Sequence, residues 1–397
     1  MSVFHSLIIP TRNRQEYVVD AVSYYLRSVD NLGEVIVADN SDQRQLILKY
    51  LQPFLYDKRL KILASPNPTL SMRENWERGV SVSQGEWVSI IGDDDILSPD
   101  LVFFLRHFLT NAGSEQFESL NWRGINFSWK GVTVDSRRNP AAIPVDGDQL
   151  RRIPSEEHLK KSLRWDEPKR SMGSGPTIYH GCWKRSLINK VKDLNNGVVF
   201  GAETVDYEAG YNALLCTNEF VMIERPFSIL GACEKSNSAA VIDYKHKKNA
   251  IDNWYKDAGT VDGLASDQRL PFSLALCIYF LNNYWMEKHN YFVEVNKVNV
   301  IKGVAQELTT LDPIYFDKFK DELITFIQQT DLAEFLPEFK PQKRQKHEVG
   351  WNGLMNGAMI IDPDKYADRV IDFADIAFSM LTPWQRIGTK YKVDKIL

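Results

Sequence analysis

The stretch VFHSLIIPTRNRQEYVVDAVSYYLRSVDNLGEVIVADN, residues 3–40, decides the fold class. Both of its ends are short apolar runs of strand length, each followed by polar residues. Between them apolar residues recur with helical spacing, as at Val18, Val22 and Tyr25. The stretch therefore predicts a strand, a helix and a second strand, the unit from which parallel sheets are built.

The same alternation continues along the first third of the chain. Further strand patterns lie at residues 60–66 and 87–92, and a capping box at Ser71 starts the helix between them. From about residue 240 onwards the pattern is mainly helical. We therefore predict an α/β fold with a mostly parallel sheet flanked by helices and a mainly helical C-terminal extension. The expected regions are residues 1–130, 131–239 and 240–397.

The composition excludes several classes of protein. A chain of 397 residues with 44% hydrophobic residues is globular and fits one large or two to three ordinary domains. A net charge of -4 gives no sign of a nucleic-acid partner. The four cysteines are widely spaced without a C-x-x-C pair, which argues against zinc and disulfide frameworks and favours a reducing cytosol. No signal peptide or membrane-spanning stretch is visible.

Polar residues follow three of the predicted strands. They are the segment PTRNR at residues 10–14, Asp39, and the triple aspartate at residues 93–95. Ligands of parallel α/β sheets bind beyond the carboxyl ends of the strands. We therefore expect these three strand ends to converge on one crevice.

The triple aspartate predicts a divalent-metal site. Hard carboxylate oxygens suit Mg²⁺ or Mn²⁺, which bind one or two carboxylates together with phosphate oxygens and water. The alternative is a solvated turn that caps the next helix. Ser98 and Pro99 already supply that cap, which favours the metal.

The other two strand ends favour a nucleotide. PTRNR contains no glycine, so neither a Walker loop nor a dinucleotide fingerprint applies. Thr11, Arg12 and Asn13 instead offer donors and acceptors at the start of a helix, although a helix cap with a surface arginine would look the same. The Asp39 carboxylate could accept a hydrogen bond from the N3–H of uracil, or it could be an ordinary loop residue.

Together these segments resemble a known family. SLIIPTRNR, VIVADNSD and NPTLSMRENWERGVSVSQGEWVSIIGDDDILSPDLV are similar to the nucleotide-sugar-binding half of GT-A glycosyltransferases of the inverting family 2. The resemblance covers about residues 3–110 and continues more loosely to about 235. It implies a GT-A fold in which residues 1–130 bind the nucleotide sugar and residues 131–239 bind the acceptor. It also implies a divalent metal cofactor, Mn²⁺ or Mg²⁺.

The resemblance implies roles for individual residues. The expected donor-binding residues are Pro10, Thr11, Arg12, Asn13, Asp39, Arg73 and Asp93. Asp94 is the expected main metal ligand, with Asp95 as a second one. Family members often carry a further aspartate where this chain has Gly92, which leaves open which of the three aspartates binds the metal.

The resemblance also points to a catalytic base. An inverting transfer needs a carboxylate that removes a proton from the acceptor hydroxyl. The segment GAETVDYEAGYNALL, residues 201–215, is similar to the family's base helix and places Asp206 at the base position. Glu203 and Glu208 are the fallbacks. These acids could alternatively do no more than favour a helix N-terminus.

Three further residues are expected near the acceptor or the phosphates. They are His180, Glu203 and Lys235. A histidine beside a strand could equally be structural. Lys235, with Ser236 and Asn237, could close over the diphosphate or belong to an ordinary polar loop.

The implied function is transfer of a sugar, most simply from a UDP-sugar, to a carbohydrate or lipid-linked acceptor in bacterial capsule or other surface polysaccharide assembly. The expected location is the cytoplasm or the inner face of the membrane, which the basic run Lys340–Lys346 could touch. A sugar-phosphate nucleotidyltransferase would carry a glycine-rich loop after the first strand. A non-catalytic carbohydrate-binding module would lack the carboxylates.

Overall fold

A computed structural model of the chain describes residues 3–111, 117–132, 141–145, 147–169, 175–236, 252–253, 255, 263–264, 269–271, 273–344 and 352–387. The strands are β1 (His5–Thr11), β2 (Gly33–Asp39), β3 (Leu60–Leu63), β4 (Trp87–Ile90), β5 (Ile96–Leu97), β6 (Ser119–Trp122), β7 (Ile125–Ser128), β8 (Ala141–Pro144), β9 (Leu150–Pro154), β10 (Gly181–Lys184), β11 (Glu219–Ile223), β12 (Ser228–Ala232), β13 (Gly353–Met355) and β14 (Ala358–Ile361).

The α-helices are α1 (Gln15–Leu26), α2 (Leu46–Tyr50), α3 (Met72–Val82), α4 (Asp100–Asn111), α5 (Ser155–Arg164), α6 (Arg185–Leu194), α7 (Val205–Cys216), α8 (Leu274–Lys288), α9 (Lys297–Glu307), α10 (Phe316–Ile327) and α11 (Val370–Ser379). None of the helices in the described ranges is long and apolar enough to cross a membrane.

The main sheet has eight strands in the order β3-β2-β1-β4-β10-β6-β11-β9. The first four are parallel, as strand-helix alternation requires, and β6 pairs with β11 in parallel as well. The antiparallel strands β10 and β9 complete the sheet. The predicted α/β class with a mostly parallel sheet is confirmed.

Helices cover both faces of this sheet. One apolar core includes Val18 of α1 and Leu101 of α4. The core on the opposite face includes Trp76 of α3, Ile188 of α6 and Ala209 of α7. Because β1 and β2 are buried along their whole length, their sequences are continuous apolar runs rather than alternating ones.

A small sheet, β5-β12-β7, lies next to the loop that follows β4. Ser228 of β12 pairs with Leu97 of β5, so the end of β12 comes close to residues 93–95. Residues far apart in the sequence are thereby brought to the triple aspartate.

The C-terminal region packs in two places. Helices α8, α9 and α10 share a core with Trp165, and Trp285 of α8 packs with Tyr211 of α7. Residues 352–387 instead return to the first part of the chain, where Phe373 of α11 stacks on Phe127 and Arg369 pairs with Asp20 of α1. Strand β14 pairs with β13 and with β8. These C-terminal strands differ from the helical pattern expected after residue 240.

Candidate active site

The carboxyl ends of β1, β2 and β4 meet at one edge of the sheet. Thr11, the last residue of β1, is the register partner of Asp39, the last residue of β2. The loop after β4 reaches the same place, because the Thr11 hydroxyl donates a 2.6 Å hydrogen bond to Asp93 Oδ2. The three polar strand ends therefore converge, as parallel topology requires.

Asp93 is fully buried and is held by an arginine that the sequence analysis did not select. Arg14 donates from Nε to Asp93 Oδ2 at 3.1 Å, and its Nη2 lies 2.8 Å from Asp93 Oδ1. Burial raises the pKa of Asp93 to about 7, although the Arg14 charge opposes the rise. The sequence signal for Arg14 is its place in PTRNR, directly before the first residue of α1.

Asp94 accepts one backbone hydrogen bond, from Cys233 to its Oδ2 at 3.0 Å. Its Oδ1 lies 3.8 Å from Arg14 Nη1, which is beyond hydrogen-bond distance. Burial raises the pKa of this carboxyl. Of the three aspartates, Asp94 thus makes the fewest bonds to protein donors.

Asp95 accepts hydrogen bonds on both oxygens. Gly92 N donates to Oδ2 at 2.6 Å, and His180 Nε2 lies 2.9 Å from the same atom. The Tyr179 hydroxyl also contacts Oδ2, at 3.2 Å, and Gly231 N donates to Oδ1 at 2.7 Å. Burial raises the pKa of Asp95, but these bonds outweigh it and the net pKa is lowered. Asp95 as a metal ligand stays a prediction: its Oδ2 contacts three protein groups, and its Oδ1 accepts one hydrogen bond.

Gly92 explains the departure from the family pattern. A Cβ atom at residue 92 would lie 2.7 Å from Asp95 Oδ2, 3.1 Å from Asp94 Oδ1 and 3.3 Å from the Tyr179 hydroxyl. These carboxylates and the phenol fill the space that a side chain at residue 92 would need. A side chain at residue 92 would therefore require these groups to shift.

No group of three or more His, Cys, Asp or Glu side chains within the described ranges is arranged to hold a metal ion. A magnesium or manganese ion at a nucleotide needs only one or two carboxylates, since phosphate oxygens and water complete its shell. The Asp94 carboxylate fits such a site, and Asp93 and Asp95 are engaged elsewhere.

Asp39 carries an unpaired acceptor. The residue is fully buried, and its Oδ1 accepts a 3.1 Å hydrogen bond from Ser41 N. Its Oδ2 is buried and has no hydrogen-bond partner among the described residues. Burial raises the pKa of Asp39. A buried acceptor without a partner is costly, so a ligand donor at this position would be favoured.

The rest of the predicted donor set has mixed positions. Pro10 is buried within β1, and Arg12 is half-buried. Asn13 adopts a φ of +57° and joins the ends of β1 and β2, because its Nδ2 donates to Asp42 Oδ2 at 2.9 Å. Asn13 therefore shapes the loop that surrounds Asp39.

Arg73 contacts Glu203 and Gly201 rather than Asp39. Its Nε is 3.0 Å from Glu203 Oε1, and its Nη1 donates to the Gly201 carbonyl at 3.0 Å. The arginine that reaches Asp39 is Arg78, five residues further along α3, which donates to the Asp39 carbonyl at 2.6 Å. Arg78 has no predicted role, because local sequence does not show which face of α3 meets β2.

Asp206 occupies the first turn of α7 and is half-buried. Burial raises its pKa. Burial also raises the pKa of the Tyr179 phenol, and the charges of Asp95 and Asp206 raise it further. Tyr179 therefore lies close enough for its phenol to feel the charges of Asp206 and of the aspartate loop, which is residues 92–95.

Glu208 does not fit the fallback role of catalytic base. Its side chain is fully buried, and its Oε2 accepts a hydrogen bond from Gly201 N at 2.9 Å. Its Oε1 accepts from Asn212 at 3.0 Å and lies 3.3 Å from Lys288 Nζ. A carboxylate enclosed in this way cannot reach an acceptor hydroxyl.

His180 and Lys235 are both engaged by the protein. The two ring nitrogens of His180 bond to Asp95 and, at 2.8 Å, to Ser228 Oγ, so the ring orients the aspartate loop. This geometry favours the structural alternative for His180 over contact with a substrate. Lys235 Nζ pairs with Glu16 at 2.7 Å. Asn237 and residues 345–346 of the basic run lie outside the described residues.

Comparison with known proteins finds similarity over the same part of the chain. Residues 6–113 match the sequence model of Glycosyl transferase family 2. The chain is 23% identical over 186 residues to the "Uncharacterized glycosyltransferase MG060" of Mycoplasma genitalium, covering 44% of this chain and 61% of the relative. It is 26% identical over 104 residues to the "Glycosyltransferase GlyG" of Streptococcus pneumoniae serotype 4, covering 26% of this chain and 34% of the relative. In both cases the match spans less than two thirds of the relative.

Solved structures of S. aureus TarS are also similar. TarS 1-349 is 13% identical, with 85% of this chain and 89% of that chain covered and a TM-score of 0.41. Its complex with UDP-GlcNAc is 12% identical, with the same coverages and a TM-score of 0.42. These scores are too low to transfer any detail from that protein to this one.

The family model matches one segment of the chain. Over residues 6–113 the resemblance found in the sequence is confirmed. The predicted enzyme class agrees with this match and with the printed names of both relatives, each of which is covered only in part.

Proposed function

We propose that the protein is a metal-dependent, inverting glycosyltransferase that moves a sugar from a UDP-sugar to a glycan or lipid-linked acceptor in surface polysaccharide assembly, at the cytoplasmic side of the membrane. The observation that carries this proposal is the unpaired, buried Oδ2 of Asp39, which lies beside Thr11 and the aspartate loop. A family 2 domain over the same residues supports it.

Asp39 favours uracil over cytosine. Uracil presents an N3–H donor to a carboxylate, whereas N3 of cytosine is an acceptor and would leave two acceptors facing each other. A site built around a hydrogen bond discriminates strongly against the analogue that cannot form it. Arg78 holds the Asp39 backbone in place through its carbonyl.

Asp94 would hold the divalent metal. A bound Mn²⁺ or Mg²⁺ would neutralise the negative charge that develops on the departing diphosphate. The protein's own contribution is to present the Asp94 carboxylate in a fixed orientation, which the Cys233 amide and the bond from Trp129 Nε1 to the Asp94 carbonyl maintain.

Asp206 would accept the proton of the acceptor hydroxyl as that oxygen attacks the anomeric carbon. Burial raises its pKa, and a carboxylate with a raised pKa is a stronger base than an exposed aspartate. Attack from the face opposite the diphosphate inverts the anomeric configuration.

The decisive experiment compares wild type with Asp94→Asn in a screen of UDP-, GDP- and CDP-sugars with and without Mn²⁺. We expect Mn²⁺-dependent release of UDP from one UDP-sugar, and a loss of about 100-fold or more in the variant because a neutral amide binds the metal poorly. The exposed residue Asp317, on α10, offers a matched control in Asp317→Asn. Equal rates in wild type and Asp94→Asn, or release that needs no metal, would refute the proposed mechanism.

Asp206→Asn separates chemistry from donor binding. We expect the variant to bind UDP and Mn²⁺ as wild type does and to lose transfer by about 1,000-fold, the scale of removing a general base. In wild type the rate should fall as the pH drops through the Asp206 pKa, which lies above the ordinary aspartate value of about 3.9. Glu203→Gln is the comparison, and transfer retained by Asp206→Asn but lost by Glu203→Gln would move the role of base to Glu203.

A further inference from the structure

The Arg14 guanidinium lies beside two residues of the aspartate loop, Asp93 and Asp94. Its Nε donates to Asp93 Oδ2, and its Nη2 forms an ion pair with Asp93 Oδ1. Its Nη1 is 3.8 Å from Asp94 Oδ1. Nη1 is also 3.8 Å from the Cys233 sulfur. About a fifth of the side chain, 19%, is exposed.

The charge of Arg14 is needed there. Asp93, Asp94 and Asp95 are all buried, and like charges so close to one another repel. An arginine guanidinium is not deprotonated in proteins. The guanidinium therefore remains charged throughout the physiological range.

Arg14 also has donors to spare. A guanidinium carries five N–H groups, and the two contacts to Asp93 use two of them. Nη1 donates to the Cys233 sulfur at 3.8 Å, which uses a third N–H group, and it lies too far from Asp94 Oδ1 for a hydrogen bond. Arginine forks bind phosphate oxygens well when such donors are free.

We propose that Arg14 is the resident cation of this site: it neutralises Asp93 and Asp94 when no metal is bound and binds the diphosphate of a nucleotide directly in the absence of metal. This inference rests on the proposed function only for the identity of the nucleotide. The same chemistry predicts binding of inorganic pyrophosphate.

A cation in this position has opposite effects on two ligands. It repels a metal ion approaching Asp94 and attracts a diphosphate. A residue that merely supports the loop would, on removal, weaken the binding of both ligands. The two affinities therefore distinguish a charge role from a packing role.

The test measures both affinities for wild type, Arg14→Gln and Arg14→Lys. Binding of Mn²⁺ to nucleotide-free protein is followed by electron paramagnetic resonance, and binding of UDP and of pyrophosphate in EDTA by calorimetry.

For Arg14→Gln we expect Mn²⁺ to bind about fivefold more tightly and both diphosphates about tenfold more weakly, as loss of a charge near 4 Å implies. Arg14→Lys keeps the charge but not the planar fork, so its Mn²⁺ affinity should stay within about threefold of wild type. Both diphosphates should bind it more weakly than wild type but more tightly than Arg14→Gln. Weaker binding of Mn²⁺ and diphosphates together, or unchanged diphosphate binding, would overturn the proposal.

If Arg14→Gln does not fold, a second variant tests the same proposal. Asp93→Asn preserves the shape of the side chain and releases the guanidinium from its carboxylate, so pyrophosphate in EDTA should bind several-fold more tightly. Unchanged or weaker binding would contradict the role of Arg14. Arg59→Gln removes another arginine that grips one aspartate, Asp57, and serves as the remote control. If the wild-type protein binds pyrophosphate through Arg14 but transfers no sugar, the proposed function is wrong and the inference about Arg14 still holds.

Discussion

At the scale of single residues, Asp39 combines burial, an ionisable group and an oxygen without a partner. Asp39→Asn should weaken UDP binding by about tenfold or more, because an amide is a weaker acceptor than a carboxylate and can present its NH₂ to the base instead. Calorimetric titration with UDP measures the loss. Binding of inorganic pyrophosphate should be unchanged, since it does not reach the base pocket, and an equal loss for both ligands would place Asp39 elsewhere.

The pH dependence of Asp39 follows from the direction of its pKa shift. Burial raises the pKa in the folded state, so Asp39 stabilises the ligand-free fold fully below its unfolded pKa of about 3.9. That contribution is lost as the pH rises through the folded pKa, because the buried carboxyl must then ionise. Asp39→Asn should therefore be relatively more stable than wild type at pH 8 than at pH 4. Urea denaturation at both pH values tests this, and an equal difference at the two would contradict it.

At the scale of elements, β12 packs closely against the aspartate loop. A Cβ atom on Gly231 would lie 1.7 Å from the Asp94 carbonyl oxygen, so glycine is required for this close approach. Gly231→Ala should push the loop away, lowering stability by about 2 kcal/mol and weakening the binding of Mn²⁺ with UDP by about tenfold. Thermal unfolding and calorimetry measure the two effects.

Gly197→Ala is the matched control for that substitution. Gly197 has a φ of +89° and open space around its Cβ position, so alanine there costs about 1 kcal/mol of backbone strain without touching the site. Nucleotide binding by this control should equal that of wild type. A Gly231→Ala variant that binds UDP normally would show that the loop does not depend on β12.

At the scale of the whole molecule, the C-terminal region holds the helix that carries Asp206. Trp285 of α8 donates to Asn212 of α7 at 2.9 Å, and Lys288 at the end of α8 neutralises the buried Glu208. Lys288→Met should cost roughly 3 kcal/mol of folding stability, because it leaves a buried carboxylate unpaired. Adding Glu208→Gln should recover most of that loss, which chemical denaturation can measure. No recovery in the double variant would show that packing, not charge, makes Lys288 important.

Much of the fold and part of the site could be predicted from local patterns. Thr11, Asp39 and the triple aspartate are recognisable because strand ends in a parallel sheet must share one edge. Asp95, Glu208 and Lys235 could not be assigned in this way. Their partners Gly231, Lys288 and Glu16 lie 136, 80 and 219 residues away.

By itself the sequence determined the α/β class, the family and the strand ends where the site lies, because these follow from periodicity and from short motifs. Only the tertiary structure decided which carboxylates are free to meet a ligand. That choice depends on burial and on hydrogen bonds from distant elements, through which Arg14 engages Asp93, His180 and Gly231 engage Asp95, and Asp94 remains the most available of the three.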